Sequence, residues 1–239
     1  MSYAMTEKTV NLIICAKNHL HDQTIPCLDH VFRNTSHPYR LTLVDDGSID
    51  GTAQYFQTIP RALVIRLSKS KGPTTARNEG LARSEPADVV VFLDNDTRVP
   101  EGWLTILVEE CQKERVGVVG AIPSNQLERL KFKASPDGLL DFNQVGSSTM
   151  AITRECLESV GLLDEWFWAS ADTDFCYRAR IAGFRVCSTP RLVVPHLVGG
   201  TRGKTEEDRR KIYIAAIRFR KKYRRYRGIF SMPPLYPFG

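Results

Sequence analysis

The sequence has no apolar run that approaches the ~18 residues of a membrane-spanning helix. Its first residues contain no apolar core of a signal peptide. The six cysteines form no Cys-x-x-Cys pair and several lie in apolar runs, which favours buried reduced thiols over disulfides or a zinc site. We therefore expect a cytoplasmic protein, and its 239 residues suffice for one large domain with a hydrophobic core.

Excess positive charge is missing from most of the chain. Of the 33 Lys and Arg residues, 12 lie between Arg202 and Arg227, together with 3 of the 27 Asp and Glu residues. The remainder holds 21 basic and 24 acidic residues, so the body of the protein is slightly acidic. A body without net positive charge argues against a dedicated nucleic-acid-binding domain, and we expect no nucleic-acid partner.

The first half of the sequence alternates apolar, strand-like runs with segments of helical periodicity. The predicted strands are 10–15, 40–44, 62–67, 89–93 and 116–121, and the predicted helices are 25–34, 51–58, 74–82 and 101–114. This alternation predicts parallel strands, right-handed crossovers and a three-layer α/β sheet. For the second half, the predicted elements are a strand at 146–152, helices at 153–160 and 172–182, and two short strands at Val186 and Val193-Val194.

The residue pattern of 203–228 predicts one basic amphipathic helix, and 229–239 is a proline-rich tail. Apolar residues recur on one face of this helix at intervals of three and four: Ile212, Ala216, Phe219, Tyr223 and Tyr226. Three roles are open, in this order of preference. The helix packs on the body; it attaches to an anionic membrane surface, where each nearby Lys or Arg adds ~1 kcal/mol; or it binds nucleic acid. The first two are compatible.

Acidic residues follow two of the predicted strands. Asp94-Asn95-Asp96 ends the apolar run 89–93, and Asp45 and Asp46 follow 40–44. Ligands of open α/β sheets bind at the carboxyl ends of the strands. Two carboxylates one residue apart can hold a hard divalent cation, and that cation can hold a diphosphate. The alternative for Asp94-Asn95-Asp96 is an Asx-type turn.

The acids after the second strand and the start of the third helix are further candidates. Asp45 and Asp46 can accept hydrogen bonds from a base or ribose, whereas turn and capping roles are preferred for Ser48 and Asp50. Arg77 lies in the first turn of the predicted helix 74–82, where an arginine suits phosphate or base recognition. The alternative for Arg77 is a surface salt bridge to Glu79 or Asp46.

Four segments in this order resemble the nucleotide-sugar-binding half of a GT-A glycosyltransferase of the inverting family 2. They are Lys17-Asn18, the Val-Asp-Asp-Gly-Ser-x-Asp-Gly-Thr turn at 44–52, Ala-Arg-Asn-x-Gly at 76–80 and Leu-Asp-x-Asp at 93–96. The resemblance continues through 161–165, 172–184 and Pro195-His196. No single motif is decisive, but the ordered set is highly specific. It implies a catalytic domain at 8–200, divided into a nucleotide-sugar-binding half at 8–121 and an acceptor half at 122–200.

The resemblance assigns a role to each matching residue. Asp94 and Asp96 match the aspartates that bridge Mg²⁺ or Mn²⁺ to the donor diphosphate, and His196 matches a histidine that approaches the metal or diphosphate in many relatives. Asp172 matches the general base. The residues expected to contact the donor are Asn18, Asp45, Asp46, Arg77, Asp94 and Asn95.

The position before Asp172 departs from the family pattern. Ala171 stands where the family usually has glutamate, so Asp172 is the preferred base and Asp174 the alternative, whose other possible role is helix capping. Asp174 is also an expected acceptor contact. Trp166 and Trp168 are candidates for stacking on an acceptor sugar, and the alternative is that the aromatic residues cover the core.

The implied activity is metal-dependent, inverting transfer of a sugar from a nucleotide donor to an acceptor hydroxyl. The acceptor would be a carbohydrate or a lipid-linked molecule in glycan, polysaccharide or glycolipid synthesis. A nucleotidyltransferase acting on sugar phosphates is one alternative, although its Gly-rich, lysine-containing start is not visible. The other alternative is a non-catalytic glycosyltransferase-like binding protein, which Ala171 makes conceivable.

Overall fold

The computed structural model describes residues 7–124, 134–168, 170–195 and 205–226. Its strands are β1 (Val10–Ala16), β2 (Arg40–Asp45), β3 (Leu63–Arg66), β4 (Val89–Asp94), β5 (Val116–Pro123), β6 (Leu140–Asp141), β7 (Thr149–Thr153) and β8 (Arg185–Val194). Its helices are α1 (Ile25–Asn34), α2 (Thr52–Gln57), α3 (Pro73–Arg83), α4 (Trp103–Cys111), α5 (Arg154–Val160), α6 (Ala171–Ile181) and α7 (Glu206–Lys222). A π-helical turn at Leu20–Thr24 precedes α1, and a 3₁₀ turn at Arg224–Tyr226 follows α7.

The strands form one sheet in the order β3-β2-β1-β4-β7-β5-β8-β6. The first four strands of this order are parallel, as the alternating pattern predicts. In the second half, β7 lies antiparallel between β4 and β5, and β6 is antiparallel to β8. The register sets Ala16 beside Asp45 and Cys15 beside Asp94, so the acids that follow β2 and β4 reach the same carboxyl edge.

Two hydrophobic clusters, one on each face of the sheet, give the predicted three layers. One contains apolar side chains of α1, α2 and α4, and the other contains side chains of α3, α5, α6 and α7. Successive residues of β4 belong to opposite clusters, and all five of its apolar residues are buried, as expected for a strand covered on both faces. Helix α3 lies close to the sheet because Gly80 has no side chain: a Cβ there would be 2.7 Å from Ile13 Cγ2.

The structure corrects two predicted elements. The two short strands expected near Val186 and Val193-Val194 are one ten-residue strand, β8. The polar residues between them are accommodated by a register shift against β5 and by a buried hydrogen bond from Thr189 Oγ1 to Glu110 Oε1 (3.0 Å). The C-terminal helix ends at Lys222 instead of continuing to 228. Thr153 caps the start of α5, since its side chain accepts a hydrogen bond from Cys156 N–H.

Helix α7 packs on the body of the protein through Ala215 and Phe219, and Tyr223 directly after it does the same; all three are buried in the same cluster as α6. Within the described part of the chain, no helix is long and apolar enough to cross a membrane. All six cysteines are free thiols, and five of them are buried.

Candidate active site

The turns after β1 and β2 are tied together at the carboxyl edge. Asn18 adopts the left-handed conformation (φ +57°), its N–H donates to Ser48 Oγ (2.8 Å), and its Oδ1 accepts from Ile49 N–H (2.9 Å). Asp50 accepts from Leu20 N–H and from Thr52 N–H at the start of α2, which agrees with its predicted turn and capping role. The side chain of Asn18 therefore serves to align two loops.

Asp45 and Asp46 are both buried and both bind backbone. Asp45 Oδ1 accepts from Ser48 N–H (3.0 Å). Asp46 accepts from Lys71 N–H (2.6 Å), Gly72 N–H (3.0 Å) and the Ser70 hydroxyl (2.8 Å). These bonds fix the loop that opens α3. A direct contact of either carboxylate with a donor stays a prediction.

Arg77 and Asp94 form an ion pair at this edge. Arg77 is mostly buried, and its Nη2 lies 2.5 Å from Asp94 Oδ1. The alternative salt bridges of Arg77 are not observed. Glu79 pairs instead with Lys71 and Arg83, and Asp46 accepts hydrogen bonds from the loop at 70–72. Burial works to lower the pKa of Arg77, but the neighbouring carboxylates of Asp94 and Asp172 outweigh it and raise that pKa above its ordinary value. The guanidinium is thus a permanent cation beside the acids.

The segment Asp94-Asn95-Asp96 is both a turn and a pair of acids. Thr97 N–H donates to Asp94 O (3.1 Å), and Asn95 Nδ2 donates to Thr24 Oγ1 (2.9 Å). The amide of Asn95 therefore binds the chain before α1, and its donor contact stays a prediction. The side chain of Asp94 remains 29% exposed. The structure is therefore compatible both with a turn and with a metal-binding pair of aspartates in this segment.

Two carboxylates with one residue between them supply the hard oxygen ligands that Mg²⁺ and Mn²⁺ prefer. Among the described residues, no three His, Cys, Asp or Glu side chains come together as a metal-binding group. His196, the third predicted ligand, lies outside the described residues. Mg²⁺ is commonly held by one or two carboxylates plus phosphate and water oxygens, so the chemistry of Asp94 and Asp96 fits such a cation.

Asp172 lies half-buried in the first turn of α6. Its Oδ2 accepts from Ser147 N–H (3.1 Å) and its Oδ1 from Thr173 N–H (2.8 Å). The helix begins after Ser170, which is held in the left-handed conformation (φ +68°), a strained backbone of the kind that clusters at functional sites. Ala171, where the family usually has glutamate, is buried among apolar side chains.

The backbone of Ser147 and Ser148 links Asp94 to Asp172 by hydrogen bonds, a connection that the sequence did not predict. Ser148 O accepts from Asp94 N–H (3.1 Å), and the preceding residue, Ser147, donates to Asp172. The predicted strand 146–152 covers these residues, whereas β7 begins at Thr149. The small residues Gly146-Ser147-Ser148 are the only local signal of a loop that approaches two acids. The two acids therefore border one site, which we call the acidic edge: Asn18, Asp45, Asp46, Arg77, Asp94, Asp96 and Asp172.

Asp174 does not belong to the acidic edge. It is fully buried, and its carboxylate accepts from Arg178 Nε (2.8 Å), Lys222 Nζ (2.6 Å) and the Tyr223 hydroxyl (2.7 Å). The expectation that Asp174 contacts the acceptor or replaces Asp172 as the base is inconsistent with this position, because its oxygens are occupied by donors from α6 and α7.

The aromatic residues before α6 have different environments. Trp166 is 72% exposed, as an acceptor platform requires, whereas Phe167 is buried and belongs to the core. Trp168 is partly buried beside the donor-side loop, since a Cβ on Gly72 would lie 3.1 Å from Trp168 Cδ1. Stacking of Trp166 or Trp168 on an acceptor sugar stays a prediction.

The mixed sheet, the helices on both of its faces and the acids at its carboxyl edge define an α/β fold of the GT-A type. The family model described as Glycosyl transferase family 2 matches residues 11–160. The chain belongs to that family.

Curated relatives agree with this membership. A pre-mycofactocin glycosyltransferase of Mycobacterium tuberculosis is 30% identical over an alignment of 175 residues that covers 66% of this chain and 37% of that relative. The glycosyltransferase GlyG of Streptococcus pneumoniae is 24% identical over 99 residues, 40% of this chain and 33% of that relative. The matched part of this chain thus spans only about a third of the length of either relative.

Solved structures share the fold at low sequence identity. The mannosyltransferase PcManGT of Pyrobaculum calidifontis, in complex with GDP-Man and Mn²⁺, has a TM-score of 0.74 at 18% identity and covers 96% of this chain and 67% of its own. GalNAc-T7 with UDP, GalNAc and Mn²⁺ has a TM-score of 0.72 at 16% identity and covers 99% of this chain and 53% of its own.

Proposed function

We propose that this chain is a metal-dependent, inverting glycosyltransferase that moves a sugar from a nucleoside-diphosphate donor to an acceptor hydroxyl. The observation that carries the proposal is the link through Ser147 and Ser148, which brings Asp172 to the same edge as the Arg77–Asp94 pair. Displacement at an anomeric carbon needs positive charge beside the leaving group and a separate carboxylate beside the nucleophile. The acidic edge offers both.

The donor side of this site is formed by β1, β2, β4 and α3. Asp94 and Asp96 would hold Mg²⁺ or Mn²⁺, and the bound cation would offset the charge that develops on the leaving diphosphate. Arg77 adds a permanent positive charge there. Asn18, Asp45, Asp46 and Asn95 shape the loops on which the nucleoside would rest. Nucleotides together with Mn²⁺ in the similar structures of PcManGT and GalNAc-T7 support this part of the proposal.

Asp172 is the proposed general base on the acceptor side. An acceptor hydroxyl is a weak nucleophile at neutral pH, and a carboxylate within hydrogen-bond reach can take its proton. As the new bond from the acceptor oxygen to the anomeric carbon forms, the bond to the diphosphate oxygen breaks. The hydroxyl proton passes to Asp172. A single displacement of this kind inverts the anomeric configuration.

The proposed acceptor is a carbohydrate or a lipid-linked molecule, which would place the enzyme in glycan, polysaccharide or glycolipid synthesis. The exposed indole of Trp166 supports a sugar-bearing acceptor, because an aromatic face is a suitable surface for a sugar ring.

A thermal-shift screen of UDP, GDP, dTDP and CDP, each with and without Mn²⁺, tests the donor site. We expect one nucleotide to raise Tm only when Mn²⁺ is present. At a concentration of about 100 Kd, binding stabilises by about 2.7 kcal/mol, or roughly 5–10 °C for a chain of this size. Mn²⁺ alone is the control. A chain that no nucleotide stabilises would contradict the proposal.

Peripheral attachment to an anionic membrane surface is part of the proposal, with a cytoplasmic location. Tyr213, Ile214 and Ile217 lie exposed on α7 beside the exposed Arg209 and Arg210, a combination suited to an anionic bilayer interface.

Co-sedimentation with phosphatidylglycerol vesicles tests this attachment. We expect binding that decreases with added salt and is lost when Ile214 and Ile217 are both replaced by serine. Ile181→Ser is the matched control, because Ile181 is equally exposed but lies at the end of α6. Equal sedimentation with phosphatidylcholine vesicles, or no sedimentation, would argue against attachment.

A further inference from the structure

Three cations of α7 contact the aromatic loop, which we define as residues 164–168. Lys211 Nζ lies 5.3 Å from the ring centroid of Trp168, Arg218 Cζ lies 4.8 Å from that of Trp166, and Lys222 Nζ lies 5.3 Å from that of Phe167. These distances are within the range of cation–π attraction. The basic residues of α7 are therefore not only solvated, since three of them contact the aromatic loop at the surface of the protein.

Lys222 also joins the start of the aromatic loop to α6. Its ammonium lies 2.8 Å from Asp164 Oδ2 and 2.6 Å from Asp174 Oδ1. The Asp174 carboxylate is fully buried and is held by the donors around it, of which Lys222 is the last residue of α7 and Tyr223 directly follows the helix. Burial and the neighbouring charge of Asp174 raise the pKa of Tyr223, which keeps its hydroxyl a donor.

Asp174 is two residues from Asp172 in the first turn of α6. A donor that fixes Asp174 therefore fixes the backbone that carries Asp172. Ser170, which adopts φ +68° just before the helix, is held between the aromatic loop and this turn. Strained backbone persists only where the surrounding structure imposes it. Helix α7 contacts the chain on both sides of Ser170: the aromatic loop before it and Asp174 after it.

We propose that α7 is a positioning element for the acceptor side of the site, and that Lys222 is its main positioning residue. Lys222 holds the aromatic loop and the first turn of α6 in a fixed relation and thereby sets the place of Asp172. This inference rests on the proposed function, in which Asp172 is the base. It gives the C-terminal basic helix a role in turnover that is separate from attachment to a membrane.

The experiment compares Lys222→Met with Lys221→Met. Methionine keeps most of the apolar stem and removes the ammonium from Asp164 and Asp174. Lys221 is the matched control, because the same charge is removed from an exposed neighbour. The readouts are the Kd for the Mn²⁺-dependent nucleotide, kcat for release of the nucleoside diphosphate, Tm, and acrylamide quenching of tryptophan fluorescence.

For Lys222→Met, we expect kcat to fall about 10- to 100-fold, the scale of a ~1 Å misplacement of a reacting group, while nucleotide Kd stays unchanged well below Tm. Quenching should rise through Trp168, which is partly buried in the aromatic loop, because Trp166 is already largely exposed and Trp103 is buried in the core. Lys222→Arg should recover most of the lost kcat, and Lys221→Met should match the wild type.

Unchanged kcat and unchanged quenching in Lys222→Met would overturn the inference. So would a loss of kcat accompanied by an equal loss of nucleotide affinity, because that result would mean general destabilisation of the protein. A wild-type chain that neither binds a nucleotide with Mn²⁺ nor releases nucleoside diphosphate would instead contradict the proposed function. In that case quenching alone decides whether Lys222 holds the aromatic loop, and unchanged quenching would reject the inference.

Discussion

Replacing Asp172 by asparagine is expected to lower turnover about 10²–10⁴-fold, the usual contribution of general base catalysis, and to leave nucleotide affinity unchanged. Asparagine keeps the size of the side chain and one oxygen that can accept from Ser147 N–H. It cannot take the proton of an acceptor hydroxyl. The bonds that hold the donor-side loops involve Asn18, Asp46 and Arg77, which this substitution does not touch.

The measurement for Asp172→Asn is kcat together with nucleotide Kd in the presence of Mn²⁺. Glu155→Gln is the matched control, because it neutralises an exposed acid in the first turn of another helix, α5. Full activity of Asp172→Asn would refute the assignment of the base. A parallel loss of nucleotide affinity would show that Asp172 acts on the donor instead.

Replacing Asp94 by alanine is expected to abolish the effect of Mn²⁺ on nucleotide binding and turnover. Even the outer-shell partners of metal ligands contribute about 10–100-fold to metal affinity, so loss of a direct ligand should cost at least that much. The same change removes the partner of the Arg77 guanidinium, which lies 2.5 Å from Asp94 in the intact protein. Any nucleotide binding that Arg77 supports without metal is expected to be weaker by at least this factor, too weak to give the Tm shift that Mn²⁺ produces.

Titration of Mn²⁺ against a fixed nucleotide concentration measures this effect. Asp96→Ala should give the same loss of metal response, and wild-type protein in EDTA should behave like Asp94→Ala. Glu101→Ala, which removes an exposed acid before α4, is the control. A normal Mn²⁺ response in both aspartate variants would place the metal elsewhere.

Much of the fold follows from local sequence patterns. The apolar run 89–93 predicts β4 and its acidic end, and the bounds predicted for α1 match those observed. Gly183 ends α6 with φ +92°, as a glycine after a helix commonly does. These features depend on residues close to one another along the chain, so periodicity and turn chemistry suffice to predict them.

The rest depends on contacts between distant residues. Lys222 and Asp174 are 48 positions apart, and nothing in the sequence near Asp174 indicates that its carboxylate is buried against α7. Asp46 illustrates the same limit, because its role in holding the loop at 70–72 is a contact across 24 to 26 positions. Sequence pattern identifies which acids are candidates, whereas tertiary packing decides which of them face the site.

Incubation with Mn²⁺ and the sugar conjugate of the nucleotide that stabilises the chain is the direct test of glycosyl transfer, with the nucleotide products separated by chromatography. We expect Mn²⁺-dependent release of the nucleoside diphosphate, slowly to water and faster once a suitable acceptor is added. Formation of a nucleoside triphosphate only when pyrophosphate is supplied would contradict it and indicate a nucleotidyltransferase. Tight binding without any release would indicate a non-catalytic member of the family.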